Sequence, residues 1–274
     1  MDHRPPAAIR RSAMPSEVVL LSAGPGDLEL LTLKAVYALA DAEVLLLDEL
    51  VDTRIVQFAP RARVVRVGKR GGCRSTPQAF ICRLMRRYAL QGQRVVRVKG
   101  GEALLFGRAG EEIDFLRQHG IPVRVINGVS AAFAAAASLG VSLTHREHCH
   151  GLTCVTAHTA DHGEPDWEAL ARCGTTLAIY MGMGRLARIC AGLLHALPAH
   201  TPAAIVQAAS QSGQGQWTGT LGGLAEYAAS GDGAAPGGAP GVILVGAALH
   251  VLPATHGALA GEGLPLRVPA GIGA

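Results

Sequence analysis

At 274 residues, 49% apolar and rich in glycine, the chain has material for two domains of ordinary size with many tight turns. A net charge of +4, with no basic stripe interleaved with aromatics, argues against a nucleic-acid binder and suits a small acidic substrate. No apolar run is long enough to cross a bilayer, and the six cysteines contain no CxxC, so reduced thiols in a cytoplasmic protein are expected rather than a disulfide framework.

The opening MDHRPPAAIRRSAMPSE lacks the apolar core of a secretory signal and is expected to be a disordered arm over 1–16, with Met14 a second candidate start. Val18 to Ser22 reads as a strand ending in the loop Ala23-Gly24-Pro25-Gly26-Asp27, with Asp27 capping the helix that carries Leu30 to Leu39. The loop is neither a phosphate-binding Walker loop nor a dinucleotide fingerprint. Strands at Glu43–Leu47 and Arg63–Val67 follow; the second ends in Gly68-Lys69-Arg70-Gly71-Gly72, a cationic loop suited to an anion or carboxylate. Ser75-Thr76-Pro77-Gln78 reads as a cap with proline at the first helical position.

Val95 to Glu112, VVRVKGGEALLFGRAGEE, joins a buried strand to a helix opening near Gly110. The pair Gly100-Gly101 lets backbone approach a ligand, Glu102 sits at a strand's carboxyl end, and Arg108 and Glu111 share a helix face. A helix to His119 and a strand at Val123–Ile126 complete an alternation that implies a parallel sheet with helices on its faces. Asn127-Gly128 marks a domain hinge. The domains are expected at 17–127 and 128–252, with a flexible tail over 253–274.

The second half opens with an alanine-rich helix from Ser130. Strands are expected at Leu152–Ala157, Thr175–Tyr180, Ala203–Val206 and Val242–Val245, and helices from Trp167, Leu186 and Leu221. His148, Cys149, His150, Cys154 and His158 are zinc-ligand types, but their spacing matches no zinc pattern and a strand divides them, so no metal site is expected. Gly182, Gly184 and Ala187 fit a loose GxGxxA, without the acidic residue a dinucleotide site needs.

Taken in order, LSAGPGDLELLTLKA, LLDELV, VGKRGG, STPQ, VVRVKGGEALLFGRAGEE, NGVSAA, SLTHR, TCVTAH, YMGM, VQAAS, TGTL and PGVILVG resemble the tetrapyrrole (corrin/porphyrin) methyltransferases. GKRGG with THR points to the uroporphyrinogen-III C-methyltransferase branch. The resemblance implies two α/β domains with mainly parallel sheets, an active site in the cleft between them, and a homodimer. It also implies S-adenosylmethionine (SAM) as methyl donor and C-methylation of uroporphyrinogen III at C-2 and C-7 to precorrin-2, on the way to sirohaem, cobalamin or haem d1.

By motif, SAM is expected against Pro25, Gly100, Gly101, Glu102, Ser130, Ala131, Met181, Ala208, Ala209 and Gly241. Arg108 and Glu111 are the expected catalytic residues, and Lys69, Arg70, Arg146 and Asp48 the expected substrate contacts. The family usually has Asp at Glu102, Pro-Phe at Ala103-Leu104, Pro at Asn127, Thr at Ser130, Tyr at Leu47 and Arg at Glu49; the last two are expected to face the tetrapyrrole. Another tetrapyrrole methylase, a nucleotide-binding oxidoreductase and an inactive paralogue remain alternatives at this point.

Overall fold

The structure, a computed structural model, describes residues 15–68, 76–158, 163–230 and 239–252. Lys69, Arg70, Gly71, Gly72, Ser75, most of the N-terminal arm and the C-terminal tail lie outside the described residues. The chain divides into two compact units, Met1–Gly24 with Leu28–Val129, and Pro25–Asp27 with Ser130–Ala274.

The first unit alternates β1 (Val18–Ser22), α1 (Leu33–Ala40), β2 (Val44–Leu47), β3 (Arg63–Arg66), α2 (Gln78–Leu90), β4 (Val95–Lys99), α3 (Ala109–Gln118) and β5 (Val123–Ile126). Its five-stranded sheet has the order β3-β2-β4-β1-β5, and every pair is parallel. β1, β2 and β4 are buried along their whole length, as the inner strands of a sheet covered on both faces must be. Side chains alternate between two cores. Val18, Leu20, Val44, Leu46 and Val95 face α2 and α3; Val19, Leu21, Leu45, Leu47, Val96 and Val98 face α1.

Leu47 is 1% exposed within the α1-side core, which corrects the expectation that its side chain faces a ligand. Two helix starts also differ from expectation. Leu28–Leu30 is a short 3-10 turn, and α1 begins at Leu33, capped by Thr32, whose Oγ1 accepts the Ala35 N–H at 3.2 Å. Asp27 does not cap it; its backbone N–H donates to Ser210 Oγ at 3.3 Å. α2 begins at Gln78, with Pro77 as the N-cap residue rather than the first helical one.

The second unit contains α4 (Ala131–Leu139), β6 (Leu152–Thr156), α5 (Trp167–Arg172), β7 (Thr176–Tyr180), α6 (Leu186–Leu194), β8 (Pro202–Gln207), β9 (Gly215–Thr220), α7 (Leu221–Ala229) and β10 (Gly241–Val245). Its sheet order is β6-β7-β10-β8-β9. Only β6–β7 is parallel; β7–β10, β10–β8 and β8–β9 are antiparallel. The α/β class holds, but a mainly parallel second sheet does not. The short link between β8 and β9 carries no crossover helix, so β9 must return alongside β8 in the opposite direction. β9 was not expected as a strand because GQWTGT has one large apolar side chain. Its inward positions are Gly215, Trp217 and Gly219, and the Trp217 ring fills the space above Gly219, where a Cβ would lie 2.9 Å from it. Trp217 joins Leu177, Ile179, Ile205, Ile243, Leu186, Ile189 and Leu221 in one core.

Candidate active site

Because all strands of the first unit are parallel, Gly24, Asp48, Gly100 to Glu102 and Asn127 all follow carboxyl ends at one edge of the sheet, where open α/β sheets place ligands. Gly24 and Gly101 close that edge with a reciprocal pair of backbone bonds of 3.1 and 2.7 Å. Both are left-handed, at φ +74° and +62°, a conformation that favours glycine. A Cβ on Gly101 would meet nothing within 4 Å, so this backbone is open to an incoming group.

Glu102 does not hang free into that space. Its Oε1 accepts the Leu104 N–H at 3.0 Å and the Ser22 hydroxyl at 3.3 Å, and its Oε2 accepts the Gly128 N–H at 2.9 Å. One carboxylate thus ties the loops after β1, β4 and β5 together. Gly128 is required there, since a Cβ would lie 2.8 Å from Ser22 Cβ.

Beneath this edge lies a buried ionic cluster that the sequence reading did not single out. Strand alternation turns Arg97 and Lys99 toward α2 and α3, where they are 1% and 4% exposed. Glu112 on α3, fully buried, accepts at Oε1 from Arg97 Nε (3.2 Å), Lys99 Nζ (3.4 Å) and Gln78 Nε2 (2.9 Å). Arg97 Nη2 donates to Asp48 Oδ2 at 2.7 Å. Burial, and then the Arg97 charge, push the Lys99 ammonium below its ordinary pKa against the pull of Glu112 and Asp48. Glu112 Oε2 is buried without a partner among the described residues. Arg97 and Lys99 interrupting an apolar strand was the signal that could have found the cluster.

Arg108 and Glu111 are brought together as expected. Arg108 precedes α3 in a left-handed conformation, and its Nε and Nη2 bind Glu111 Oε1 and Oε2 at 2.8 and 2.7 Å, a bidentate fork on the surface. The hydrogen bond from Arg108 holds the Glu111 carboxyl below its usual pKa. Asp48 is partly exposed, and Arg97 fixes its carboxylate.

In the second unit the expected cofactor residues also sit at strand ends and helix starts. Pro25 O accepts from Gln211 Nε2 at 2.9 Å, which anchors the Pro25–Asp27 loop beside Ser210. Ala208 follows β8, and its N–H donates to Pro240 O at 2.9 Å. Gly241 opens β10, where a Cβ would lie 3.1 Å from Met183 Sδ. The Ser130 hydroxyl shares a 2.7 Å bond with Tyr180 Oη, which also accepts the Ala132 N–H at 3.2 Å. Tyr180 thus fixes the start of α4, next to Ala131; the sequence reading passed over it as the end of a strand. Among the described residues, five non-glycine residues have positive φ: Phe106, Arg108, Met181, Ala208 and Ser210. Arg108, Met181 and Ala208 are among the expected site residues, and such strain concentrates where backbone is shaped for a ligand.

Arg146 is exposed on the turn closed by paired bonds between His145 and Cys149. Of the histidine–cysteine knot, Cys149 turns inward: its Sγ accepts the Thr176 N–H and donates to Gly151 O, both at 3.0 Å. Cys154 lies along β6.

Residues 17–225 match the family described as Tetrapyrrole (Corrin/Porphyrin) Methylases. Over 212 residues the chain is 54% identical to a uroporphyrinogen-III C-methyltransferase of Pseudomonas aeruginosa, covering 77% of this chain and 86% of the relative. It is 46% identical over 216 residues to a siroheme synthase 2 of Aeromonas hydrophila, covering 78% of this chain and 46% of that protein. Among solved structures, the uroporphyrin-III C-methyl transferase of Thermus thermophilus complexed with S-adenyl homocysteine has a TM-score of 0.73 and 38% identity, with 86% of this chain and 100% of that one covered.

The buried cluster yields a stability prediction. Glu112→Ala leaves Arg97 and Lys99 buried without their shared carboxylate and should destabilise the protein by about 3–5 kcal/mol in urea unfolding. Adding Lys99→Met to that variant should recover part of the loss. A Glu112→Ala cost below about 1 kcal/mol would show that the cluster does not hold the edge together.

Proposed function

Because the chain belongs to the tetrapyrrole (corrin/porphyrin) methylase family, we propose that it uses SAM to methylate uroporphyrinogen III at C-2 and C-7, giving precorrin-2 by way of precorrin-1. The observation that carries this reading is the 54% identity to a uroporphyrinogen-III C-methyltransferase over most of both chains.

The residues present suit SAM. The backbone at Gly101 is open, and strained backbone at Met181 and Ala208 shapes loops for close contact. By motif, Gly100, Gly101 and Glu102 are assigned to SAM, as are Pro25, Ser130, Ala131, Met181, Ala208, Ala209 and Gly241, mostly through backbone groups. Bound SAM supplies an electrophilic methyl group, so the chain's own task is chiefly to orient the pyrrole carbon that attacks it; good orientation alone accounts for several kcal/mol of a barrier.

Uroporphyrinogen carries acetate and propionate groups around its rim. Exposed Arg108 and Arg146 are the described arginines assigned to them, and Lys69 and Arg70, outside the described residues, join them by motif. Charge-assisted bonds of this kind contribute roughly 1.5–3 kcal/mol each. Glu111 is a poor base while Arg108 holds its pKa down, so its first role is to fix the guanidinium plane. Arg108 itself stays protonated, its pKa raised chiefly by the same hydrogen bond.

Anaerobic incubation with SAM and enzymatically generated uroporphyrinogen III should give a product two methyl groups heavier by mass spectrometry. SAM binding by calorimetry with no such product would instead point to a different tetrapyrrole substrate. Glu111→Gln should lower kcat by about 10²-fold, while stability at neutral pH changes by less than about 1 kcal/mol because the pair is exposed. Near-normal turnover would remove Glu111 from the reaction. Arg146→Ala should raise the KM for the tetrapyrrole with little change in SAM affinity; the reverse pattern would refute the placement of Arg146.

A further inference from the structure

A cluster in the second unit has no part in the proposed reaction. His145, His148 and His250 converge so that one ring nitrogen from each lies within 4.8 Å of the others. The rings are in mutual contact, with centroids 4.6 Å apart for His145–His148, 4.5 Å for His148–His250 and 5.1 Å for His145–His250. His145 and His148 belong to the turn closed by His145 N–H to Cys149 O and Cys149 N–H to His145 O, both 2.8 Å. His250 caps the 3-10 turn Ala247–Leu249 that follows β10. Two segments about a hundred positions apart in the chain therefore meet through their imidazoles.

We propose that His145, His148 and His250 form a three-histidine site for a borderline divalent transition-metal ion, with Zn2+ the reference case. Imidazole suits such ions, and three protein nitrogens with a fourth position open to water is an established coordination pattern. Zinc–nitrogen bonds of about 2.0–2.1 Å in a tetrahedron put ligand nitrogens roughly 3.4 Å apart, so from separations within 4.8 Å the set must close by no more than about 1.4 Å. His148 and His250 are exposed, so their rings can rotate without displacing packed neighbours. His145 is oriented by the Glu147 N–H, which donates to its Nδ1 at 3.2 Å. Coordination through Nε2 would put the ring proton on Nδ1 and give up this long bond. The bound ion would clip the 145–149 turn to the turn after β10, and Arg146, between two of the ligands, would ride on a fixed backbone.

The test uses the full chain, freed of any affinity tag and stripped with a chelator, titrated with Zn2+ by calorimetry and with Co2+ by visible absorption. One equivalent should bind. Binding should weaken by roughly tenfold or more in His148→Ala and in His250→Ala, and stay unchanged in His150→Ala, whose exposed side chain lies outside the cluster. Zn2+ should raise the Tm of the parent protein and of His150→Ala but not of the other two variants. No saturable binding at roughly 100 µM Zn2+ would overturn the proposal, as would binding undiminished in His148→Ala and His250→Ala.

Discussion

The first unit depends on a single buried carboxylate. Glu112 sits on the first turn of α3, yet its Oε1 receives Arg97 and Lys99 from β4 and Gln78 from α2, and through Arg97 it is linked to Asp48 beyond β2. Buried charges are stable only when paired and hydrogen-bonded, so these groups constrain one another's positions. The register of β4 against α3 cannot slip without stranding a charge. The two residues beyond Lys99 are Gly100 and Gly101, and Arg108 and Glu111 lie within four residues of Glu112, so the loop proposed to meet SAM is held between fixed ends.

Above that foundation the chain accepts backbone strain. Arg108, Met181 and Ala208 adopt a left-handed conformation at a cost of order 1–3 kcal/mol each. Strain of this size persists only where the surroundings over-determine it. Arg108 has its fork to Glu111, Met181 follows a tyrosine bonded to Ser130 and Ala132, and Ala208 is pinned by its bond to Pro240. The same three positions are ones to which the proposed function assigns site roles.

How much of this could be read from the sequence depends on what carried the signal. Apolar runs marked β1, β2, β4 and β10, because a strand buried on both faces leaves little else to write there. The helix at Leu186 was legible through apolar residues at helical spacing, Leu186, Ile189, Cys190 and Leu193. β9 was not, because its inward face is glycine, tryptophan and glycine, and burial there depends on a ring covering its neighbour. The antiparallel return of β8 into β9 was hidden in the same way. Arg97 and Lys99 were visible but unweighted: a cation in an apolar strand announces a buried partner, and only the fold shows it to be Glu112, thirteen to fifteen residues on. His250 lay beyond any local pattern, since no spacing rule connects it to His145.

The charges at the first unit's ligand edge show how a neutral cluster can still serve an anionic substrate. Asp48 and Glu112 are neutralised by Arg97 and Lys99, Glu102 is taken up by the backbone N–H groups of Leu104 and Gly128, and Glu111 by Arg108. The acidic side chains there are thus turned to internal bonds. The Arg108 fork uses Nε and Nη2, which leaves the Nη1 side of the guanidinium outside the pair. Under the proposed function, a rim carboxylate approaching from that side would meet a planar cation already held in place, and less side-chain freedom would be lost on binding than with a lysine. The substitution of Glu for the family's usual Asp at position 102 fits the same logic. The longer side chain reaches the Gly128 N–H while its other oxygen stays on Leu104, so it closes the loop after β5 onto the loop after β4 without needing the proline that usually stiffens position 127.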